Sequence, residues 1–426
     1  MIQLNNHNEH LKSQFESALG SSTPEMCKES ISLDFIDLVL RQCLNIEEMR
    51  EAGSFFTGQQ LATIVVNKLK DSISFDSVIL DPTCGAGNLL IECSRKLDVV
   101  EQSLKETLKK WGVVLRGYDI HNSFVEAAKL RLITEALNRG VEKDCSLVDA
   151  LQLFPYIRAA DVMSIEESEL KKATHIVMNP PFSIWTSPKI RFWKSGKVNA
   201  AGIVFEHILR RLPVDCQVSA ILPDVLRSGS RYENWRDFAS GVIDGNCEIY
   251  GRFNKKTDVD VFILSGKVSS GHNKIVQWQT TDDKNKGAIL SDLFDVCVGS
   301  LVAYRDPVIG NSYPYIHPKS APAWGVMKEF TEYRKYSGKV FSPPLIVIRR
   351  TSSPSDKFRA VGTLIQGKGL VAIENHMIVL QPKNGTVKTC KKLMRILKSK
   401  KINDYLNERI RLRHLTVGVV KKLPLK

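Results

Sequence analysis

The sequence predicts an α/β chain: a doubly wound, mostly parallel sheet followed by a C-terminal α+β domain. Three observations lead there. Short apolar runs alternate with longer helical patterns from about residue 78 to 266. A glycine-rich turn follows directly on one of those runs, at 81–90. The charge balance then breaks near residue 300. Strand–helix alternation at this spacing is how parallel sheets covered on both faces are built.

Taken in order, 30–49 carries helical periodicity (Ile31, Leu33, Phe35, Ile36, Leu38, Leu40, Leu44), read as one or two helices packed on the next domain. The runs SVILD (77–81), VVLRGYDI (113–120), HIVMNPP (175–181), VSAILP (218–223) and DVFILSG (260–266) read as buried strands. NLLIECSRKL (88–97), SFVEAAKLRLITEALNRG (123–140) and GIVFEHILRRL (202–212) read as the helices between them. The polar stretch 267–274 reads as a connector. Beyond it come PPLIVIRR (343–350), RAVGTLIQ (359–366), LVAIENHMIVLQP (370–382) and a basic helical segment over 386–413. The expected domains are an N-terminal helical extension (1–50), a core domain (51–270) and a second domain (275–426).

The chain of 426 residues carries a net charge of +14. Residues 301–426 hold 25 basic and 7 acidic side chains, whereas 1–300 hold 35 and 39. The whole basic excess thus lies in the last third, as where a polyanion docks, although a merely solvated basic surface has the same composition. No apolar run reaches the roughly 18 residues of a membrane span. The N-terminus MIQLNNHNEH lacks the apolar core of a secretory signal, so a cytoplasmic protein is expected. Nine scattered cysteines without a C-x-x-C pair, and no metal-binding spacing of His and Cys, leave no expected metal site. His207 reads as a packed helical residue.

Two motifs carry chemistry. The turn DPTCGAGNLL (81–90) puts an acid at a strand end, then Gly85 and Gly87, then a helix: the ligand-cradling corner of a doubly wound fold. Leu90 stands where a dinucleotide fingerprint needs its third glycine. The second motif, NPPF (179–182), closes another strand. Its prolines remove two donors and leave acceptors, the Asn179 side-chain oxygen and the Pro180 carbonyl, beside the flat apolar Phe182. Acceptors holding both N–H bonds of a planar amine turn its lone pair out of the ring, ready to attack an in-line methyl group. Either motif alone could be a rigid turn; both at strand ends, in this order, point to a site.

With GSFFTG (53–58) upstream, these motifs resemble those of the amino-methylating DNA methyltransferases. Their order, with a basic domain last, resembles the gamma arrangement shared by type I modification subunits and Taq-type adenine methyltransferases. The resemblance implies a Rossmann-like methyltransferase domain that uses S-adenosylmethionine. Phe55, Phe56 and Thr57 would line the methionine end of the cofactor. Asp81, Gly85 and Gly87 would hold its amino-acid moiety, with Thr83 and Asn88 of the same turn also binding it. Asp119 would accept from the ribose hydroxyls, and Asp149 would face the adenine amine, in competition with Asp144 and Asp161. Asn179, Pro180, Pro181 and Phe182 would bind the target base. Two departures stand out. Asp119 follows Asp81 by 38 residues because of the inserted DVVEQSLKETLKKWG (98–112), and Leu89 replaces a phenylalanine common in relatives.

More loosely, LSDLFDVCVGSLVAYRDPVIG (290–310) and RHLTVGVVKKLPL (413–425) resemble target-recognition domains of type I specificity subunits. Arg349, Arg350, Lys357, Arg359 and Lys368 are then candidates for DNA contacts. The function implied is site-specific methylation of adenine N6 in double-stranded DNA after base flipping, in a restriction–modification or defence system. A separately encoded endonuclease or specificity subunit is the implied partner. N4-cytosine methylation, RNA or protein-glutamine methylation, and a non-catalytic DNA-binding subunit are the alternatives.

Overall fold

The computed structural model describes residues 4–17, 31–43, 57–69, 73–189, 192–193, 195–254, 257, 259–270, 276–278 and 287–425. The chain divides into two compact units, 1–278 and 279–426.

Among the described residues the first unit has ten strands: β1 (Ile79–Asp81), β2 (Leu115–Asp119), β3 (Ile157–Ala159), β4 (His175–Met178), β5 (Ile184–Thr186), β6 (Lys197–Asn199), β7 (Gln217–Pro223), β8 (Ile243–Arg252), β9 (Asp260–Val268) and β10 (Val276–Gln277). Eight form one sheet in the order β10-β8-β9-β7-β4-β1-β2-β3, while β5 and β6 pair as a separate hairpin. From β3 through β2, β1 and β4 to β7 the strands are parallel, with β1, β4 and β7 buried along their whole length. The run DVFILSG becomes β9, which lies antiparallel between β7 and β8. β8 and β9 are consecutive in the chain, and an antiparallel pair needs no crossover helix.

Ile79 pairs with Leu115 on one side and His175 on the other, which aligns the amino ends of β1, β2 and β4 and puts their carboxyl ends at the same edge of the sheet. The chain steps from β1 to β2 and β3, then returns to β4 on the opposite side of β1. The strand order reverses there, and such a reversal opens a crevice at the strands' carboxyl ends. The insertion at 98–112 forms most of the helix Leu104–Val114, capped by Ser103 and anchored by the fully buried Trp111. The N-terminal helix Asn5–Ser17 is part of this unit: Asn8 Nδ2 donates to the Ser123 carbonyl at 3.0 Å.

The second unit has a five-stranded sheet, β11-β18-β15-β16-β13, and a three-stranded one, β14-β12-β17. Its strands are β11 (Phe294–Val298), β12 (Asn311–Ile316), β13 (Val326–Met327), β14 (Tyr333–Tyr336), β15 (Leu345–Arg349), β16 (Gly362–Ile365), β17 (Ala372–Ile373) and β18 (Met377–Pro382). The run LVAIENHMIVLQP, read as one strand, is broken at 374–376 into β17 and β18 of different sheets. Alternation sorts the larger sheet's faces. Ile346, Ile348, Ile378 and Leu380 pack with Cys390, Leu393 and Leu406 of the helices Val387–Leu397 and Lys400–Arg409. Leu345, Val347, Met377 and Val379 pack with Ile316, Phe341 and Ile373.

Arg359 corrects the reading of a DNA contact, because it is only 1% exposed. Its guanidinium donates to the carbonyls of Ile410 and Leu412 and to Ser352 Oγ, tying the 352–359 loop to the chain beyond the helix Lys400–Arg409. Arg359→Met should leave the buried Ile410 carbonyl and the part-buried Leu412 carbonyl without their donor, at about 1–3 kcal/mol for a buried group, and so destabilise this unit by about 3 kcal/mol. Denaturant unfolding should show a lower midpoint for this unit; an unchanged midpoint would overturn the structural role.

The seven cysteines whose side chains are described are free. No helix among the described residues is long and apolar enough to cross a membrane.

Candidate active site

A cavity of about 370 Å³ opens at the carboxyl ends of β1 and β2 and reaches the Asn-Pro-Pro-Phe motif after β4. Asp81, Thr83, Gly85 and Asn88 of the glycine-rich turn line it, together with Thr57, Asp119, Asn179 and Pro181. The turn is shaped by Gly85 and Gly87, with φ of 51° and 82°. A Cβ on Gly87 would lie 2.9 Å from the Cβ of Ala128, so this glycine is needed where the turn meets the helix Asn122–Asn138. Gly87 is not among the lining residues.

A buried arginine that sequence reading passed over holds the turn in place. Arg131 is 0% exposed and donates to the Ala86 carbonyl at 2.6 Å, to Asn88 Oδ1 at 2.5 Å and to the Ser32 carbonyl at 3.2 Å. Burial pushes its guanidinium down to about 9. Asn88 in turn donates to the Leu33 carbonyl at 2.9 Å and to the Thr57 carbonyl at 2.6 Å. Thr57 Oγ1 accepts from Asn179 Nδ2 at 3.1 Å. One threonine thus joins the two motifs, and its hydroxyl orients the Asn179 amide. Phe55 and Phe56, expected beside it, lie outside the described residues.

The cavity is acidic at its base. Asp81 is 1% exposed and accepts from the Thr83 amide at 3.1 Å. Burial, reinforced by the neighbouring Asp119, pushes its carboxyl up to about 8. Burial also raises Asp119, although the His121 amide donates to it at 2.8 Å. Thr83 Oγ1 is buried with no hydrogen-bond partner among the described residues. Ile120, Phe124, Val162, Met163 and Trp185 add apolar wall, with His121, Asp161 and Ser183 beside them. Carboxylates held against their charge at the foot of an apolar slot suit a ligand with a cationic head, hydroxyl groups and a flat ring. Among the described residues no cluster of His, Cys, Asp or Glu is placed to hold a metal ion.

Asp149 is not brought to this cavity. It is exposed in the first turn of the helix Leu147–Gln152, where its carboxylate accepts from Ser146 Oγ at 2.6 Å. Asp144 caps the helix Leu104–Val114 region through Ser103 and the Lys105 amide. Asp161, two residues beyond β3, lines the cavity instead and accepts from the Met163 amide at 2.9 Å.

Residues 37–223 match the family model described as N-6 DNA Methylase. The first unit therefore carries an S-adenosylmethionine-dependent methyltransferase domain. The match begins in the helix Phe35–Cys43 and ends with β7, so it takes in both motifs and the parallel strands. Among solved structures, the type IIL restriction-modification enzyme MmeI, in complex with DNA, is similar over 99% of this chain and 78% of its own, with a TM-score of 0.57 at 11% identity. The type IIG restriction endonuclease BpuSI is similar over 92% of this chain at 13% identity, with a TM-score of 0.46, and the chain spans 60% of its length. The M protein of the type I restriction enzyme EcoKI is similar over 62% of this chain and 61% of its own, at 14% identity and a TM-score of 0.37. At these identities the likeness concerns the fold.

Pro180 and Phe182, expected to bind the target base, are not among the residues lining the cavity, and Phe182 packs instead on a ring that sequence reading missed. Phe182 is 9% exposed and meets Phe253 edge to face, with ring centroids 5.7 Å apart at 83°. Phe253 follows β8, and its amide donates to the Val259 carbonyl at 2.9 Å. The Phe182 carbonyl accepts from Asn199 Nδ2 at 3.0 Å, so β6 fixes the backbone of the motif.

In the second unit the expected DNA contacts scatter. Lys357 and Lys368 are exposed in two different connections, while Arg349 and Arg350 are half-buried, Arg349 donating to the Ala321 carbonyl at 3.3 Å. A denser basic ridge lies on the helix Val387–Leu397, where Lys388, Lys391, Lys392 and Arg395 are all exposed while Cys390, Leu393 and Leu397 are buried. The spacing that buries one side of this helix turns the cations to the other.

Proposed function

We propose that this chain transfers a methyl group from S-adenosylmethionine to N6 of adenine in double-stranded DNA. The observation that carries the proposal is Thr57, which joins the acid-lined cavity to the Asn179 amide at the carboxyl ends of adjacent strands. When bound, the cofactor supplies an electrophilic methyl group on a sulfonium. Asp81 holds its amino-acid ammonium, Asp119 accepts from the ribose hydroxyls, and Thr83 and the Gly85 backbone complete the cradle. Asp161, rather than Asp149, faces the cofactor's adenine amine.

Asn179 is the catalytic residue. Its amide nitrogen donates to Thr57, which directs the oxygen end to the substrate amine. That oxygen and the Pro180 carbonyl accept the two N–H bonds and strengthen their hold as the nitrogen becomes tetrahedral. Pro181 fixes the turn, and Phe182 and Phe253 offer the base an aromatic wall. The amine of a paired adenine is stacked inside the duplex, so the base must leave the helix first. The basic second unit, with its ridge on Val387–Leu397, holds the DNA and reads sequence. The fold shared with MmeI, which was solved with DNA, supports this substrate and a restriction–modification setting, as does the gamma-like order of the motifs. A separately encoded endonuclease or specificity subunit would complete the system.

The test uses methyl-labelled cofactor and duplex DNA, followed by digestion to nucleosides. Labelled N6-methyladenine is expected. Labelled N4-methylcytosine would keep the amine chemistry and replace the base. Label in RNA or protein alone would overturn the reading of the basic unit.

A further inference from the structure

The hairpin that follows the Asn-Pro-Pro-Phe motif has a chemical character unlike the rest of its unit. Residues 1–300 carry an acidic excess, yet no acidic residue occurs between Glu169 and Glu206. The stretch 183–199 alone contains Lys189, Arg191, Lys194 and Lys197. Its strands β5 and β6 pair antiparallel, Ile184 opposite Asn199 and Thr186 opposite Lys197. At its root Trp185 lines the cofactor cavity. Further out, a second hollow of about 580 Å³ is lined by Thr186, Ser187, Lys189, Trp193, Ser195 and Lys197 among others. Lys189 and Lys197 are exposed, and neither meets a carboxylate within 4.0 Å among the described residues. The Trp193 indole N–H, on a side chain 7% exposed, has no acceptor among the described residues.

The hairpin is braced from several directions. The Ser187 amide donates to the Gly196 carbonyl at 2.8 Å, and Arg231 Nη2 donates to the Ser195 carbonyl at 2.7 Å. The Asn199 amide donates to Tyr232 Oη at 2.9 Å, while the Tyr232 and Trp193 rings meet edge to face at 6.3 Å. A braced hollow of ammonium, hydroxyl and indole donors, with no acid nearby in sequence, is built for an anion carrying several acceptor oxygens. Its root at the reacting centre identifies which anion.

We propose that this hairpin is a phosphate clamp, in which Lys189 and Lys197, helped by Thr186, Ser187 and Ser195, grip the DNA backbone next to the nucleotide being methylated. The inference rests on the proposed DNA substrate. It places a cationic contact in the catalytic unit itself, apart from the basic ridge of the second unit. Holding the flanking phosphates there keeps the strand in register while the base is out of the stack.

The test compares the full chain with the variant Lys189→Ala/Lys197→Ala in fluorescence anisotropy on a mixed-sequence duplex across a salt series. Each phosphate contact contributes about 0.9 to the slope of log affinity against log salt, so losing two should lower it by about 1.8, with weaker DNA binding throughout. Cofactor binding, measured by calorimetry, and thermal midpoint should match wild type. Lys189→Arg/Lys197→Arg should restore the slope. An unchanged slope and affinity in a variant of a DNA-binding, DNA-methylating wild type would overturn the clamp alone. Lost binding to an RNA of the same sequence, with DNA binding intact, would overturn it too. A wild-type chain that neither binds nor methylates DNA would overturn the proposed function and the clamp together.

Discussion

Replacing Asn179 with alanine is expected to slow methyl transfer by about 10²-fold or more, the usual cost of removing one acceptor or donor that acts on the transition state. The cofactor site should survive the change. Asn88 still clamps the Thr57 carbonyl, Arg131 still holds the turn, and the carboxyls of Asp81 and Asp119 are untouched. Calorimetric affinity for S-adenosylmethionine should therefore stay close to wild type while single-turnover rates collapse. Asn179→Asp keeps an acceptor but loses the donation to Thr57, so it should fall between the two. A near wild-type rate in the alanine variant would displace the active site from this motif.

Cofactor affinity is expected to climb as pH rises toward about 8, because Asp81 must give up a proton that burial makes it hold up to that pH. Below this point each pH unit should weaken binding by up to about tenfold, since a unit of proton affinity is worth 1.36 kcal/mol. Asp81→Asn should bind more weakly above pH 8, by about tenfold or more, because a hydrogen bond to a charged group is lost. Its pH profile should also be flatter than that of wild type. Ligand-free stability has the opposite sign. A carboxyl raised from 3.8 to about 8 in the folded state binds a proton that the unfolded chain has released. Its contribution is full below the unfolded value and is lost as pH rises through about 8. The stability of Asp81→Asn relative to wild type should accordingly increase with pH across that window. Parallel affinity profiles for the two proteins would remove Asp81 from the cofactor contact.

Much of the parallel core was legible because its strands are short, apolar and closed by chemically marked turns. Asp81, Gly85 and Asn179 could be placed at strand ends from spacing alone. The acid at the third position was harder. β3 is three residues long, with only Ile157 buried, so no periodicity marks where it ends, and Asp149 and Asp161 look alike in the sequence. The structure puts the first in the opening turn of a helix and the second in the cavity wall. Phe253 was invisible for another reason: it reaches Phe182 from an antiparallel hairpin some seventy residues later, whose strand β8 reads IDGNCEIYGR and looks polar. Buried arginines were the systematic failure. Arg359 reads as a candidate DNA contact and Arg131 draws no notice, because sequence does not reveal that clusters of carbonyl and amide oxygens await them.

Arg131 also bears on the order in which the domain assembles. Its side chain ties Ser32, 99 positions before it in the sequence, to Ala86 and Asn88. Contacts of such separation form late, after the intervening chain has given up most of its freedom. During synthesis the glycine-rich turn therefore emerges long before the side chain that fixes it, and the segment around Ser32 must wait longer still. The ability to bind the cofactor becomes one of the last properties the domain acquires, so a ligand that binds there selects chains that have completed folding over those that have only collapsed.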